Sequence, residues 1–261
     1  KEPGDYTFTI GPKDGSIFEG TKEFTFTIKK GSVAKPALDT TAFYFDKTVK
    51  TYTVEESEYY TVLDNSNQQT NPGSYKVKIA LTNPDYYEWE DGITDTLEYD
   101  FVINKGNYDM SKVVFEDLEA TYTGSEFSIV ATNLPDGVTV EYENNIGTTA
   151  GTYIAVAKFT GEEAYAQYYN PIDNLTAILK INKASVNKPT ADNSEYTYNG
   201  QKQTYILETS DYYTISSTTA TDAGTYLITV ALKDKNNYQW NDESTSDLEY
   251  AFVINKATYD M

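Results

Sequence analysis

Two short segments of the sequence combine aromatic and acidic residues and are the strongest candidates for binding chemistry. Residues 86–92 read Tyr-Tyr-Glu-Trp-Glu-Asp-Gly, and residues 237–242 read Asn-Tyr-Gln-Trp-Asn-Asp. Exposed Trp and Tyr rings can stack on sugar rings while neighbouring carboxylates accept hydrogen bonds from sugar hydroxyls. The candidate ligand-binding residues are Tyr87, Trp89, Glu90, Asp91, Tyr238, Trp240 and Asp242.

The same segments have a purely structural interpretation. A Trp buries a large apolar area, so one that recurs at the same position of a repeat can instead close the end of a sandwich. The two interpretations differ in one observable, which is whether the side chains of Trp89 and Trp240 are exposed.

Calcium binding is a further alternative for the first segment. Glu88, Glu90, Asp91 and Asp95 offer hard oxygen ligands over a short span, but the D-x-D-x-D-G pattern of a calcium loop is absent. The counterpart residues 241–247 differ in charge and order. A solvated acidic loop without a bound metal is therefore the prediction.

The composition excludes several kinds of catalysis. The chain has no Cys and no His, so it lacks a thiol nucleophile, a Ser-His-Asp triad and the usual zinc ligands. Glycoside hydrolysis would need two carboxylates facing each other across a cleft, and nothing in the sequence singles out such a pair. We expect a protein that is not an enzyme, with no catalytic residues and no cofactor.

The strongly negative net charge makes negatively charged binding partners unfavourable. The formal charge is -20 and the isoelectric point is about 4.3, which opposes binding to nucleic acid or to anionic lipid headgroups. No apolar run approaches the ~20 residues of a membrane-spanning helix. The aromatic content of 15% argues against disorder. The sequence predicts a folded segment that contacts neither nucleic acid nor a membrane.

Internal repeats define the organisation of the chain. Residues 97–105 recur almost unchanged at 248–256, with weaker copies ending at residues 183 and 30. One repeat therefore occupies about 75 residues. The predicted boundaries are 1–30 (the C-terminal half of a truncated repeat), 31–105, 106–183, 184–256 and 257–261 (the start of a next repeat).

Each repeat is predicted to consist of short strands. The alternation in residues 75–81 points Tyr75, Val77, Ile79 and Leu81 inward and the two intervening lysines outward. Asn199-Gly200 predicts a two-residue hairpin that joins residues 196–198 to a second run reaching Tyr205. The fold class is therefore all-β, with tandem β-sandwiches in an elongated end-to-end array.

At several of these positions the sequence resembles the MBG-type Ig-like tandem repeats of Gram-positive cell-surface proteins. The matching pieces are Tyr122-Thr123-Gly124, Leu134-Pro135-Asp136-Gly137-Val138-Thr139-Val140, Ala150-Gly151-Thr152-Tyr153 and Ile181-Asn182-Lys183-Ala184. The resemblance implies that the tandem sandwiches are Ig-like β-sandwiches, in an extracellular, adhesin-like protein attached to the cell wall through other parts. It implies no catalytic residues.

Three functional hypotheses follow. The first is a passive stalk or spacer, which the even repeats and evenly distributed charge favour. The second is a module that binds a host or environmental glycan or mucin. The third is a subunit of an extracellular filament, whose partners are neighbouring repeats of the same protein. An isopeptide crosslink through Lys105 or Lys256 is an additional alternative.

Overall fold

The structure is a computed structural model that describes residues 1–259, so the last two residues of the predicted repeat start at 257–261 lie outside the described residues. The described chain is built from β-strands, with a single 3₁₀ turn at Glu163–Tyr165. This confirms the all-β prediction. The described chain divides into two compact units, one formed by residues 1–108 and 161–171 and the other by residues 109–160 and 172–259.

The first unit contains ten strands and the 3₁₀ turn. The strands are β1 (Gly4–Ile10), β2 (Lys22–Ile28), β3 (Gly31–Val33), β4 (Phe43–Tyr44), β5 (Lys50–Thr51), β6 (Tyr60–Val62), β7 (Gln68–Gln69), β8 (Gly73–Leu81), β9 (Tyr87–Trp89) and β10 (Leu97–Asn104). β1 and β2 form a two-stranded hairpin, and a four-stranded sheet has the order β4-β10-β8-β6. Two short ladders, β3-β9 and β5-β7, complete the unit.

The core of the first unit lies on the inward face of the four-stranded sheet. Val77 and Ile79 from β8 are fully buried, and Phe101 from β10 is 1% exposed. Val33 of β3 and Trp89 of β9 belong to the same buried cluster. The sheet and the short ladders therefore share one core as the two layers of a β-sandwich.

The second unit contains fourteen strands. They are β11 (Leu118–Thr121), β12 (Phe127–Ser128), β13 (Thr139–Glu143), β14 (Ile146–Gly147), β15 (Gly151–Thr160), β16 (Leu175–Asn182), β17 (Ala184–Val186), β18 (Tyr196–Thr197), β19 (Gln203–Thr204), β20 (Tyr213–Ile215), β21 (Thr219–Ala220), β22 (Gly224–Leu232), β23 (Tyr238–Trp240) and β24 (Leu248–Asn255). Two four-stranded sheets have the orders β11-β16-β15-β13 and β18-β24-β22-β20. Short ladders pair β12 with β14, β17 with β23 and β19 with β21.

Four hairpins in the chain share one register. The glycine that opens the first strand pairs with an isoleucine near the end of the second strand: Gly4 with Ile28, Gly73 with Ile103, Gly151 with Ile181 and Gly224 with Ile254. Two residues after each glycine, a tyrosine hydroxyl donates to the backbone carbonyl four residues before it, at 2.7 to 2.9 Å. The repeated sequence thus produces a repeated local structure.

The predicted strand phase is confirmed. In β8 and β22 the inward residues are buried or half-buried, and Lys76 and Lys78 are exposed. A slip of one residue would have exposed the whole apolar set, which is why the alternation fixes the register so strongly.

The predicted hairpin at Asn199-Gly200 was wrong. Gly200 does adopt the left-handed conformation of a turn, with φ +74°. However, β18 pairs in parallel with β24, while β19 pairs with β21 in a different ladder. The chain therefore changes layers at this turn, and the two runs that the hairpin would have joined belong to different ladders. The predicted repeat boundaries themselves stay a prediction.

Candidate functional site

The two tryptophans are at the centre of the predicted binding segments, and both are completely buried. Trp89 is 0% exposed, its ring lies 5.7 Å from that of Tyr60, and its Nε1 donates to the carbonyl of Asp95 at 2.9 Å. Trp240 is also 0% exposed, lies 5.7 Å from Tyr213, and donates to the carbonyl of Ser246 at 2.8 Å. Neither indole face is available for stacking on a ligand, which agrees with the packing interpretation.

Strand pairing explains why the tryptophans face inward. β9 pairs in parallel with β3, so that Trp89 lies opposite Val33, and β23 pairs with β17, so that Trp240 lies opposite Val186. In the loop after each tryptophan the indole N–H has a backbone acceptor six residues ahead. Burial of the ring therefore leaves no polar group unsatisfied.

The candidate carboxylates are engaged with lysines. Asp91 accepts a hydrogen bond from Lys35 at 2.5 Å, which lowers the pKa of the Asp91 carboxyl group and raises the pKa of Lys35. Asp242 accepts one from Lys188 at 2.5 Å, and this bond, followed by a bond from Ser244, lowers the pKa of Asp242 to about 2. Both lysines precede a proline, at equivalent places in the sequence. Each pair closes a loop onto the start of its own repeat.

The remaining candidates differ in exposure. Glu90 is exposed, whereas Tyr87 and Tyr238 are half-buried. The Tyr87 ring lies 5.0 Å from that of Tyr59. The Tyr238 ring lies 5.4 Å from that of Tyr122 and 5.0 Å from that of Tyr212. The tyrosines therefore pack against other aromatic rings. Four of the seven candidates lie in the first unit and three in the second.

The structure also bears on the calcium and isopeptide alternatives, through the grouping of acidic side chains and the exposure of two lysines. Within residues 1–259, no three His, Cys, Asp or Glu side chains converge as a group that could hold a metal ion. Lys105 and Lys256 are exposed. Over the same residues, no helix has the length and hydropathy of a membrane span.

The sequence analysis did not identify two carboxylates, Asp39 and Asp192, that accept hydrogen bonds from backbone N–H groups. Asp39 accepts hydrogen bonds from the backbone N–H of Thr53 at 2.7 Å and of Thr41 at 2.9 Å. Asp192 accepts them from Ile206 and Ser194, both at 2.8 Å, and from the Tyr196 hydroxyl at 2.5 Å. A hydrogen bond from the Thr41 side chain, followed by the one from the Thr53 backbone N–H, lowers the pKa of Asp39 to about 2. Hydrogen bonds led by that of the Tyr196 hydroxyl also depress the pKa of Asp192. Each carboxylate therefore joins its own loop to the residues just after a short strand, Thr53 after β5 and Ile206 after β19.

Asp39→Asn is expected to change the acid sensitivity of the first unit. A carboxyl group whose pKa is depressed on folding stabilises the fold above its unfolded pKa of about 3.9, and that contribution is lost as the pH falls towards 2. The variant should be less stable than wild type at neutral pH by about 1 to 3 kcal/mol, because one backbone N–H loses its acceptor. Its stability should also fall less between pH 4 and pH 2.

Urea denaturation at neutral and acidic pH measures both effects. Asp14→Asn is the matched control, since Asp14 is an exposed carboxylate in the loop between β1 and β2. Equal pH dependence in Asp39→Asn and wild type would show that Asp39 does not stabilise the fold through its charge.

A second feature that sequence reasoning missed is a tyrosine cluster in the first unit. Phe45 is 3% exposed because Tyr165, Tyr168 and Tyr169 cover it, with ring centroids 5.1 to 6.0 Å from its own. Lys47 binds Glu162 at 2.9 Å and lies 4.5 Å from the ring centroid of Tyr165. The three tyrosines in residues 165–169 are visible in the sequence, but their contact with Phe45 could not be predicted because Phe45 lies more than a hundred residues away. We call Phe45 and residues 161–171 the tyrosine clamp.

Gly106 fits the tyrosine clamp because it has no side chain. Its N–H donates to the carbonyl of Tyr168 at 2.9 Å, and its carbonyl accepts from Asn170 at 2.9 Å. A Cβ atom at this position would lie 2.3 Å from the carbonyl oxygen of Phe45 and 2.7 Å from the Tyr169 ring. Backbone and ring therefore pack directly onto the glycine.

Gly106→Ala is expected to lower the free energy of unfolding of the first unit by about 1 to 3 kcal/mol, because the added methyl group forces the clamp apart. Urea denaturation provides the measurement. Gly151→Ala is the control, since a Cβ there would meet only the Tyr153 ring, at 3.9 Å or more. If the first unit of Gly106→Ala unfolds at the wild-type urea midpoint, the clamp accommodates the methyl group without strain, whereas Gly151→Ala should leave both units at their wild-type midpoints.

Comparison with known proteins adds little. No family model matches the chain, so the resemblance to MBG-type repeats stays a prediction. A search of curated proteins also finds no match.

Solved structures show weak similarity only. Drosophila N-cadherin EC1-4 is 10% identical, with 98% of this chain and 84% of that chain covered and a TM-score of 0.24. The human Desmocollin-1 ectodomain is 10% identical, with 95% and 66% covered and a TM-score of 0.23. A Bacteroides ovatus mixed-linkage glucan utilization locus protein, SGBP-B, in complex with a mixed-linkage heptasaccharide, is 16% identical, with 84% and 67% covered and a TM-score of 0.17. The proposals below therefore depend on the contacts within the chain itself.

Proposed function

We propose that this chain is a non-catalytic, structural array of Ig-like repeats in an extracellular, adhesion-type surface protein. The observation that carries the proposal is that the two aromatic-acidic segments are closed in the same way. In each, the tryptophan is fully buried and the following carboxylate is bound to a lysine from the start of the repeat. A side chain used for packing in this way is not free to bind a ligand.

The shared register of the four hairpins supports the same function. A binding or catalytic module tends to differentiate one loop or one repeat, whereas here the same glycine, tyrosine and isoleucine positions recur along the chain. Repetition of one self-contained β unit is typical of spacers, in which each repeat extends the chain and contributes its own stability.

Acidic charge fits this role. The net charge is -20 and is spread over the repeats, so that at low salt neighbouring repeats repel each other electrostatically. All basic residues of the chain are lysines, and the ion pairs described above place three of them beside acids of the same unit. The charged groups thus stabilise loops locally while the surface as a whole stays negative.

Tryptophan fluorescence with a neutral quencher tests the proposal. We expect blue-shifted emission, poor quenching, and no change on titration with soluble mucin or with mixed-linkage glucan oligosaccharides. Trp89→Phe and Trp240→Phe variants assign the signal to one repeat at a time.

The competing function is a glycan-binding module. Exposed tyrosines near the two segments, Tyr59, Tyr86 and Tyr212, at 38 to 48% exposure, are the observation that favours it. Saturable glycan binding in calorimetry that is lost in Tyr86→Ser or Tyr212→Ser would replace the structural proposal with this one.

A further inference from the structure

One side chain at the junction between the two predicted repeats of the second unit is both polar and buried. Asn237 is 7% exposed, and within residues 1–259 it is the one buried residue whose side chain is polar or charged. Burying an amide costs free energy unless its hydrogen-bonding groups are satisfied. The partners of Asn237 therefore identify what holds the amide in place.

The side chain of Asn237 is hydrogen-bonded to both predicted repeats. Its Oδ1 accepts a hydrogen bond from the backbone N–H of Ala150 at 2.8 Å, although the two residues are 87 positions apart in sequence. Its Nδ2 donates to Oδ2 of Asp234 at 2.7 Å. Ala150 immediately precedes β15 in the repeat 106–183, and Asp234 follows β22 in the repeat 184–256. The amide therefore bridges the junction between the two repeats.

The carboxylate of Asp234 fixes the orientation of this amide. An ionised carboxylate only accepts hydrogen bonds, so the NH₂ group of Asn237 must face Asp234 and its oxygen must face the N–H of Ala150. The hydrogen bond from the Asn237 side chain lowers the pKa of Asp234, so the carboxyl group is ionised at neutral pH. The backbone N–H of Asn237 also donates to Asp234, at 3.2 Å. Asp234 thus presents the amide oxygen to the neighbouring repeat.

Two further contacts lie at the same junction. The ring of Tyr122, which follows β11, lies 5.4 Å from the ring of Tyr238 in an edge-to-face arrangement. The Nζ of Lys183 donates to the carbonyl of Lys235 at 2.7 Å. A single residue separates the end of β16 from the start of β17. The two repeats are therefore joined by a one-residue connection and by contacts between their own side chains and loops.

The amide and its carboxylate are particular to this junction. In the first unit, the carbonyl of Tyr86 accepts an N–H from the start of the repeat, as the carbonyl of Asn237 does in the second unit. Tyr86 therefore occupies the position of Asn237, and Asn83 occupies that of Asp234. Both members of the amide-carboxylate pair differ from their counterparts, which indicates a role that depends on the neighbouring repeat rather than on the common fold.

We propose that Asn237, its two side-chain partners and the Tyr122–Tyr238 ring pair form a junction latch, which makes the two repeats of the second unit unfold as one cooperative body. Repeats of this size should couple weakly on their own. The junction latch adds coupling, because opening it deprives a buried amide and the N–H of Ala150 of their partners. This coupling does not depend on whether the array is a spacer or binds a ligand.

A double-mutant cycle in the full chain measures the coupling. Every variant also carries Trp89→Phe, so that the fluorescence reports only Trp240, in the repeat 184–256. Leu179→Ala, at a fully buried position on β16, destabilises the preceding repeat. With Asn237 in place, Leu179→Ala should lower the urea midpoint of the Trp240 signal. In the Asn237→Ala background, that shift should be lost.

Ser216→Ala is the matched control for Asn237→Ala. The Ser216 hydroxyl accepts a hydrogen bond from the backbone N–H of Thr229 at 2.9 Å, so this variant also loses an acceptor, but within one repeat. It should leave the shift caused by Leu179→Ala intact. Tyr122→Ser removes the ring contact from the other side of the junction and should reduce the shift. This variant decides the question if circular dichroism shows that Asn237→Ala does not fold.

Three results would overturn the proposal. If Leu179→Ala leaves the Trp240 midpoint unchanged while Asn237 is present, the two repeats unfold independently. If the shift is equally large with Asn237, with Asn237→Ala and with Tyr122→Ser, the coupling does not come from the junction latch. If Ser216→Ala abolishes the shift as well, its loss reflects general destabilisation of the repeat 184–256.

Discussion

Replacing Trp89 with alanine is expected to lower the free energy of unfolding of the first unit by about 3 to 5 kcal/mol. The ring is completely buried, and its removal deletes the packing against Tyr60 and Val33. The carbonyl of Asp95 also loses the indole N–H that it accepts. Because a loss of this size approaches the total stability of a small domain, the unit should be largely unfolded at physiological temperature.

The measurement uses the second tryptophan as an internal control. In Trp89→Ala the remaining fluorescence comes from Trp240, which lies in the second unit. Urea denaturation followed by this signal should be close to wild type, while circular dichroism should show early loss of strand structure. Trp240→Ala should produce the reverse pattern. If Trp89→Ala binds a glycan less well but unfolds like wild type, the ring serves recognition rather than packing.

The inward and outward faces of the strands could be predicted from the sequence because they depend on local alternation. A β-strand places successive side chains on opposite faces, so the pattern at Tyr75, Val77 and Ile79 specifies the buried face without knowledge of the partner strand. The shared register of the hairpins follows for the same reason, since each hairpin repeats the same residues at the same spacing. Burial of the tryptophans was one of two interpretations of the sequence, and both rings are buried in the structure.

Pairing between distant segments could not be predicted from local patterns. Asn199-Gly200 is a strong local signal for a two-residue hairpin, yet β18 pairs with β24, more than fifty residues later. Phe45 likewise depends on tyrosines at 165–169. The carboxylates of Asp39 and Asp192 were missed because their partners are backbone N–H groups, which leave no signal in side-chain composition. Tertiary contacts outweighed local propensity in each case.

Ile79→Ala is expected to lower the free energy of unfolding of the first unit by about 2 to 4 kcal/mol, through lost burial and the cavity left behind. Ile79 is fully buried near the C-terminal end of β8, where it pairs with Leu97 of β10. Val102→Ala is the matched control, because Val102 is 46% exposed and lies between Phe101 and Ile103 on the opposite face of β10. The control should lose less than about 1 kcal/mol, since it removes little buried area.

Ile79→Ala also tests how far one unit melts independently of the other. Repeats of this size should be weakly coupled, so the Trp240 signal of the second unit should keep its wild-type midpoint. Residues 161–171 of the tyrosine clamp follow β15 of the second unit in sequence but belong to the first unit. We therefore expect them to unfold together with the first unit. Destabilisation of the first unit should therefore expose Tyr165, Tyr168 and Tyr169 as well, which hydrogen exchange of residues 161–171 would detect. A single calorimetric transition that shifts as a whole would contradict the independence of the units, and unchanged exchange in residues 161–171 would contradict the assignment of the clamp to the first unit.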